Sequence, residues 1–392
     1  MRFAVSARTA ATATAVVALG AALASPALAQ SSFDITVGGD GYFQGAFVDQ
    51  RQDSGLRSTE FANRLRLTIS PNAKADNGLE YGGRLRLLAG NGDPAVSSRT
   101  VENDRAFLYA TGGFGTVQAG VLNGLSDEYG MIGPNVEGVA GSADSNGLLF
   151  LNGSTTYGAL PLTATSLRTL ISYDAGTKIV YLSPSFGGVQ AAFSYTPRSG
   201  DSNTSVNRRK TDALGGGLSF HDVIEGGAVY QGVFDAVTVE ASAFYQTGKT
   251  VRQTDGVSDQ RFENLNSFHV GANVAYEGFK VGASYAYSGD SAYAKDAPSK
   301  RDQEVLIVGG QYASGPLLFA ANYVRARGND SATLSTPAKA DIWQGGITWT
   351  VAPGLTTGLE YDYVRSSLSS TTGGADLNDR AHIVMLDTRF AF

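Results

Sequence analysis

Cysteine is absent from the 392-residue chain, and histidine occurs only three times, at His221, His269 and His382. Without cysteine the chain can form no disulfide bond, no thiolate metal site and no cysteine nucleophile. After the first thirty residues it also lacks any run of about 18 apolar residues, so no transmembrane helix is available there. The absence of cysteine fits an oxidising compartment and a protein that needs no disulfide for stability.

The first thirty residues predict export. Arg2 and Arg8 provide a basic start, an alanine-rich apolar run follows, and Ala27-Leu28-Ala29 ends it with the small-x-small pattern of a signal-peptidase site. A membrane anchor is the alternative interpretation, but Ser25-Pro26 interrupts the run just before the cleavage pattern. We therefore expect residues 1–29 to be a cleaved signal peptide and residues 30–392 to form the mature protein.

The mature chain is acidic. Of the 30 basic residues, two lie in the signal, which leaves 28 against 36 acidic residues and a net charge of about −8. This balance argues against a nucleic-acid partner. The 49 glycines, 18 tyrosines and 19 phenylalanines favour β-structure with tight turns, because aromatic side chains suit a pleated surface.

Apolar and polar residues alternate along most of the mature chain. In FKVGASYAY, from Phe279 to Tyr287, every second residue is apolar, as expected for a strand of about ten residues with one greasy and one wet face. Short connectors alternate with long polar ones, which is typical of an outer-membrane barrel. We predict an all-β, antiparallel transmembrane barrel of about sixteen strands, which start near Asp34 and end at Phe392, in one domain of residues 30–392.

The sequence leaves two alternatives open. Residues 211–235 fit either one strand with a loop or two strands. A soluble β-sandwich or β-solenoid is the competing architecture, but sandwich strands are shorter and a solenoid would show a fixed repeat.

Arginine and leucine alternate in two neighbouring segments, NRLRLTIS at residues 63–70 and GGRLRLLAG at residues 82–90. An arginine on the lipid face near the bilayer midplane costs about 2 to 4 kcal/mol, so the arginines must face the lumen and the leucines the lipid. A hairpin centred on Ala75 would place Arg64 opposite Arg86 and Arg66 opposite Arg84.

The lumen-facing arginines can be interpreted in two ways. Glu80 and Glu102 could neutralise the arginines, which would then only solvate a wet interior. The second interpretation is a positively charged wall that lines a pore. Like charges directly opposite each other on a ladder are destabilising, so their clustering points to a function.

The longest connector separates the strand that ends near Asn123 from the one that begins near Lys178. It carries the carboxylates Asp127, Glu128, Glu137 and Asp144 before its first basic residue, Arg168. A loop of this length is usually functional or disordered. Folded inward it would narrow the channel, and left outside it would be a surface loop.

Two segments flank the longest connector, GGFGTVQAG at residues 112–120 before it and SPSFGGVQAAFSY at residues 183–195 after it. They resemble the element before and the hairpin after the constriction loop of trimeric Gram-negative porins of the alphaproteobacterial type. HIVMLDTRFAF resembles their last strand, with Phe390 and Phe392 on one face as a barrel-assembly signature. The loop lacks the PEFGG element of the enterobacterial members.

The resemblance implies a homotrimer of sixteen-stranded barrels for passive diffusion of small hydrophilic solutes and ions, with the third loop inside the lumen. It also implies membrane lipid, lipopolysaccharide and the barrel-assembly machinery as partners, and no cofactor. The site residues that it implies are a basic wall of Arg64, Arg66, Arg84, Arg86 and Arg105 opposite the loop acids Asp127, Glu128, Glu137 and Asp144.

The sequence is also compatible with other functions. A substrate-specific uptake channel would use an arginine ladder equally well, and a purely structural barrel would conduct nothing. An enzyme is disfavoured because no histidine is followed by a Ser-Asn-Gly nucleophile pattern. The carboxylates of SDEYG and GNDSA could bind calcium, but no EF-hand spacing is present and no metal is predicted.

Overall fold

The computed structural model describes residues 33–53, 55–89, 100–134, 147–151, 167–172, 175–215, 218–329, 336–368 and 378–392. The predicted signal peptide and the predicted loop acids Glu137 and Asp144 lie outside these residues.

The described residues form strands and very little helix. The strands are β1 Asp34–Gln50, β2 Thr59–Lys74, β3 Glu80–Ala89, β4 Val101–Gly112, β5 Gly115–Leu122, β6 Gly176–Leu182, β7 Val189–Arg198, β8 Thr211–Ala213, β9 Phe220–Phe234, β10 Val237–Thr250, β11 Arg252–Thr254, β12 Asp259–Gln260, β13 Leu265–Tyr276, β14 Phe279–Gly289, β15 Gln303–Ser314, β16 Leu317–Asn329, β17 Pro337–Ala352, β18 Leu355–Leu368 and β19 Asp379–Ala391. A short helix, α1, spans Leu125–Tyr129, and a 3₁₀ turn spans Gly147–Phe150.

Sixteen of these strands close into one antiparallel barrel, as the alternation predicts. The other three, β8, β11 and β12, form a small separate sheet. The open question at residues 211–235 is answered by one long barrel strand, β9, preceded by the short β8. None of the helices in the described part of the chain is long and apolar enough to cross a membrane.

The barrel closes where β1 pairs with β19, from Asp40 opposite Ala391 to Gln50 opposite Ala381. The amide of Phe392 donates to the carbonyl of Gly39 at 3.0 Å, and the amide of Gly39 donates back at 3.0 Å. The rings of Phe390 and Phe392 stack with centroids 6.0 Å apart. These rings lie over glycines of β1, where a Cβ on Gly39 would stand 2.8 Å from the Phe392 ring.

Side chains alternate between the two faces of the barrel wall. On β18 and β19 the inward residues Val364, Ile383 and Met385 are fully buried, whereas the outward residues Leu359 and Leu386 are half exposed or more. The outward apolar side chains form the lipid-facing surface.

The inner face differs in part from the wet lumen that the alternation predicts. Fifteen buried apolar residues form a cluster on the inner side, and it includes Val305, Ile307, Ile383 and Met385 from the barrel wall together with Leu151 of the long connector. This connector packs against the wall and makes that side of the interior a protein core. Water is excluded there because apolar loop and wall side chains meet.

The predicted register of the β2–β3 hairpin is wrong by four residues. Arg66 lies opposite Leu88, and Thr68 lies opposite Arg86. The reason is that β2 continues to Lys74, which pairs with Glu80 on the ladder and through a 2.8 Å ion pair, so the turn is centred beyond Ala75. Among the predicted wall arginines, Arg86 and Arg105 lie directly opposite each other, on β3 and β4.

Candidate functional site

The long connector enters the barrel at α1, and a buried glutamate of the wall holds it there. Glu225 on β9 is 1% exposed, and its carboxylate accepts the backbone amides of Leu125 at 2.7 Å and Ser126 at 2.9 Å. The first amides of a helix have no partner inside it, and Gly124 offers no capping side chain. Glu225 fills that role and also accepts the hydroxyl of Thr169 at 3.1 Å.

After α1 the connector runs along the inner wall. The Met131 amide donates to Ser242 Oγ on β10 at 2.8 Å, and Asn273 Nδ2 on β13 donates to the Ile132 carbonyl at 3.1 Å. Two wall glycines make this close approach possible, since a Cβ on Gly271 would lie 1.7 Å from the Met131 oxygen and one on Gly309 1.9 Å from the Pro134 oxygen.

The connector also returns along this wall. Leu167 joins the inner apolar cluster, and the amide of Leu170 donates to Ser267 Oγ on β13 at 3.1 Å. The prediction that the third loop folds into the lumen is therefore confirmed in its described segments.

The arginines of β2 share one carboxylate. Arg66 Nη2 lies 2.7 Å from Asp40 Oδ1, and Arg64 Nη2 lies 3.3 Å from Asp40 Oδ2. Arg64 also stands over the ring of Tyr42, 4.8 Å from its centroid. Asp40 faces both arginines because the register puts Asp40 opposite Arg66 and Tyr42 opposite Arg64 on the inner face.

The arginines of β3 and β4 are held by separate carboxylates. Arg86 makes a two-pronged contact with Asp104, at 2.7 and 2.6 Å. The register shifts next to Arg86, and this irregularity brings Asp104 within reach of its neighbour on β3. Arg105 lies 3.1 Å from Glu128 of α1 and donates to Asn123 Oδ1 at 2.9 Å. Arg105 thereby joins the wall to the base of the connector.

Arg84 differs from the other wall arginines. It is exposed, and its guanidinium lies 5.8 Å from the centroid of the Phe107 ring. No carboxylate of the described residues lies within 4.0 Å of it. The charge of Arg84 acts to lower the pKa of Tyr129 in α1. Burial and the charge of Glu128 outweigh this effect and raise the pKa of Tyr129 to about 12, so this phenol stays neutral at ordinary pH. Arg84 is thus an uncompensated cation on the open inner surface.

The charge balance of the site is positive. Five guanidinium groups of the wall contact or neighbour three described carboxylates, those of Asp40, Asp104 and Glu128. Asp127, predicted to face the wall, forms an ion pair with Arg168 of its own loop at 3.3 Å and bonds to Asn123.

The carboxylates that contact the wall arginines are not the ones predicted from the sequence. Glu80 pairs with Lys74, and Glu102 bonds to Thr100, whereas Asp40 and Asp104 hold the arginines. The alternation of Asp40, Tyr42 and Gln44 on the strand next to β2 was an available signal for the first. No signal in the sequence indicated Asp104, because its position depends on the register shift beside Arg86. No signal indicated Glu225 either, because it lies about a hundred residues from α1 in the sequence.

The three histidines lie on three different strands. His269 is fully buried on β13, with Nδ1 3.1 Å from where a Cβ of Gly130 would stand. His382 on β19 bonds to Tyr361 at 2.7 Å, and His221 on β9 lies 3.0 Å from Asp222. In the part of the chain that is described, no group of three or more His, Cys, Asp or Glu residues is arranged to hold a metal ion.

Comparisons with known proteins agree with this geometry. The family model described as Gram-negative porin matches residues 12–368. No curated protein matches the chain.

Among solved structures, OmpT of Vibrio cholerae is similar with a TM-score of 0.58 at 13% identity, over 94% of this chain and 100% of that one. A multiply substituted porin of Rhodobacter blastica is similar with a TM-score of 0.53 at 18% identity, over 92% of this chain and 100% of that one. The trimer form of the Vibrio protein matches with a TM-score of 0.58 at 13% identity, over 92% and 100%. These likenesses concern the fold.

Proposed function

The chain belongs to the Gram-negative porin family, and from this premise we propose that its arginine wall and the base of its inward loop form the constriction of a general-diffusion pore. The protein is an outer-membrane channel rather than an enzyme. It carries small hydrophilic solutes and ions by passive diffusion through the barrel.

The observation that carries the proposal is the contrast between the two sides of the interior. On one side the loop packs against buried apolar residues of β14–β19 and of β1, and the inward carboxylates of β18, Glu360 and Asp362, are buried there. The side formed by β1–β4 carries partly exposed charges. Arg64 and Asp40 keep 32% and 27% of their side chains exposed. Solutes therefore pass along the charged side.

The charges act on solutes in a simple physical way. The exposed guanidinium of Arg84 and the partly exposed ion pairs of Arg64, Arg66 and Arg86 produce an electric field in the passage. Water and polar solutes orient in this field, but an apolar solute must displace oriented water and gains no compensating contact. The pore therefore disfavours large and apolar molecules. We further propose that the protein neither makes nor breaks covalent bonds in the solutes that it carries.

Planar-bilayer conductance of the purified protein tests the proposal. We expect ohmic, step-like currents without saturable block by sugars, amino acids or phosphate. Block at low concentration by a single solute would point to a substrate-specific channel. An absence of conductance would point to a structural barrel and overturn the proposal.

We also propose that three copies assemble into a trimer, which the trimer form of the structurally similar Vibrio protein supports. Closures in three equal conductance steps, with cross-linking that stops at three protomers, are the expected result. Single-step closures with protomers that do not cross-link would contradict it.

Residues 1–29 are proposed to be removed on export, and the remaining barrel to be inserted by the assembly machinery through Phe390 and Phe392. The mass of the protein purified from outer membranes should correspond to a chain that begins at Gln30. A mass that includes the first 29 residues would contradict cleavage.

A further inference from the structure

An arginine of the last strand also faces the interior of the barrel. Arg389 lies on β19 on the same face as Met385 and Asp387, which are fully buried on the inner side. Leu386 and Phe390, on the other face of this strand, are 60% and 43% exposed. The side chain of Arg389 is partly exposed, so its charge reaches the passage.

Arg389 continues the row of wall arginines across the closure of the barrel. The register places it directly opposite Tyr42 on β1, and it places Tyr42 directly opposite Arg64 on β2. The Arg64 guanidinium stands over the Tyr42 ring on this inner face, 4.8 Å from its centroid. The Nε atoms of Arg64 and Arg389 are both buried and have no hydrogen-bond partner among the described residues. The basic wall therefore extends from β2 through β1 to β19.

Arg389 has no ion-pair partner among the described residues, since no carboxylate of these residues lies within 4.0 Å of its guanidinium. Its ladder neighbours, Tyr42 on β1 and Thr356 on β18, are uncharged. The acids closest to it in register are Asp40 and Asp387. Asp40 is shared by two arginines of β2, and Asp387 is fully buried. Of these groups, Arg389 is the one whose charge is exposed outside an ion pair.

The inward lysines near the short turns of the barrel differ from Arg389. Each of them is paired with a glutamate at 2.8 Å, Lys74 with Glu80 and Lys280 with Glu240. Arg84, near the start of β3, resembles Arg389, because both lie near the short-turn end of their strand without a carboxylate in ion-pair distance among the described residues. Short turns of such barrels face the periplasm. The unpaired positive charge of the inner surface therefore lies toward its periplasmic side.

We propose that Arg389 is a further selectivity-determining residue of the pore, which attracts small anions to the periplasmic side of the charged wall and repels cations there. The inference rests on the proposed function for the passage of ions along this wall. The charge of one guanidinium close to a passing ion changes the ratio of anion to cation permeability by up to about fivefold in bulk water. Salt screens this charge, so the effect is greater when the dilute solution is on the periplasmic side.

The reversal potential of the purified full-length protein in a planar bilayer, with a gradient of potassium chloride, tests the proposal. Arg389→Gln is expected to lower the ratio of anion to cation permeability by up to about fivefold, and more strongly for one direction of the gradient than for the other. Arg389→Lys keeps the charge and should keep the ratio. Arg380→Gln is the matched control, because it removes an exposed arginine from the outer face of the same strand, and it should leave the ratio unchanged.

The position of Arg389 is tested by a thiol reagent. Because the chain has no cysteine, Arg389→Cys provides a single thiol. A positively charged thiosulfonate reagent should modify it, change the current and restore the ratio of anion to cation permeability. The reaction should be faster from the side on which dilute salt gives the greater effect of Arg389→Gln. The same reagent should leave the current of Arg380→Cys unchanged.

Several outcomes would overturn the proposal. One is an unchanged permeability ratio in Arg389→Gln, and another is an equal fall in Arg380→Gln, because the net charge of the protein would then set the selectivity. A fall in Arg389→Lys as large as that in Arg389→Gln would show that the side chain acts through packing. Equal reaction of Arg389→Cys from both sides would contradict its position.

Folding and the pore proposal are controlled separately. If Arg389→Gln forms no pores, the permeability ratio of Arg389→Cys before and after the positively charged reagent gives the same comparison of an uncharged with a charged side chain. A failure of the pore proposal appears as absent conductance in the wild type, whereas a failure of the Arg389 proposal leaves the conductance of the wild type in place.

Discussion

Arg84 is the wall arginine with an exposed side chain and no described carboxylate within ion-pair distance. We predict that Arg84→Ala lowers the anion-to-cation permeability ratio. A unit charge at about 4 Å is worth about 1 kcal/mol in bulk water, so the ratio should fall by up to about fivefold. The reversal potential across a salt gradient measures this ratio directly.

The control for Arg84→Ala is Arg208→Ala, which removes an exposed arginine from the connector between β7 and β8. Its reversal potential should stay at the wild-type value. If both variants shift the reversal potential equally, the net charge of the protein sets the selectivity, and the wall does not.

Glu225, a single residue of β9, holds α1 in place through hydrogen bonds. We predict that Glu225→Ala loosens α1, because the amides of Leu125 and Ser126 lose a buried charged acceptor that is worth about 1.5 to 3 kcal/mol per bond. Faster hydrogen exchange at these two amides and noisier single-channel current are the expected readouts. Glu225→Gln, which keeps one carbonyl acceptor, should be intermediate.

Glu240 provides the comparison for Glu225, since it pairs with Lys280 at 2.8 Å and makes no hydrogen bond to the described residues of the connector. Glu240→Gln should leave the exchange of the α1 amides unchanged. Unchanged exchange in Glu225→Ala as well would show that other contacts hold α1.

The direction of the wall arginines could be predicted from the sequence, but their partners could not. Lipid exposure of a guanidinium costs so much that alternation with leucine alone fixes which face Arg64 and Arg66 occupy. The partner depends on register, and register depends on where the turn begins. A four-residue error at the β2–β3 turn, with a shift beside Asp104, was enough to replace the expected Arg–Arg contacts with Arg–Asp contacts.

The position of the inward segment, residues 130–134, depends on glycines of the barrel strands. We predict that Gly309→Ala displaces it, because the new Cβ would lie 1.9 Å from the Pro134 oxygen. A displacement of the loop into the passage should lower single-channel conductance. Conductance in symmetric salt, with the melting temperature as a check of folding, measures the effect.

The adjacent Gly310 is the matched control, since its added Cβ would meet nothing closer than 3.6 Å. Gly310→Ala should conduct like the wild type. Equal conductance of Gly309→Ala and the wild type would mean that the loop yields without narrowing the passage.

Strands were predictable at this scale because each carries its own signal in a period of two. FKVGASYAY and HIVMLDTRFAF keep one face apolar whatever their partners are. The path of the loop carries no such local signal. It follows from contacts between residues far apart in sequence, such as Glu225 with α1 and Gly271 with Met131.

At the scale of the whole molecule, the barrel has two unlike halves. The side of β14–β19 carries a buried apolar cluster that includes connector residues, and its inward carboxylates, such as Glu360 and Asp362, are buried, whereas β1–β4 carry partly exposed charges. The passage is therefore off-centre, and its charged wall belongs to the strands next to the seam, where β1 pairs with β19 and closes the barrel. The integrity of the seam then affects both the fold and the pore.

The rings of Phe390 and Phe392 cover Gly39 and Gly41 at this seam. We predict that Phe392→Ala lowers the stability of the closed barrel by about 0.5 to 1.5 kcal/mol, the value of an aromatic pair beyond its buried area. The backbone bonds between Gly39 and residue 392 remain, so the variant should fold. Its thermal unfolding in detergent, followed by circular dichroism, measures the loss.

Phe319→Ala removes another outward aromatic ring, away from the seam, and separates closure from general lipid contact. If closure is the role of Phe392, its variant unfolds at a lower temperature than Phe319→Ala and refolds more slowly into pure lipid vesicles. If recognition by the assembly machinery is its role, both variants refold alike in pure lipid, and Phe392→Ala fails only in cells. The barrel-assembly function proposed for this residue therefore stands or falls on folding without the machinery.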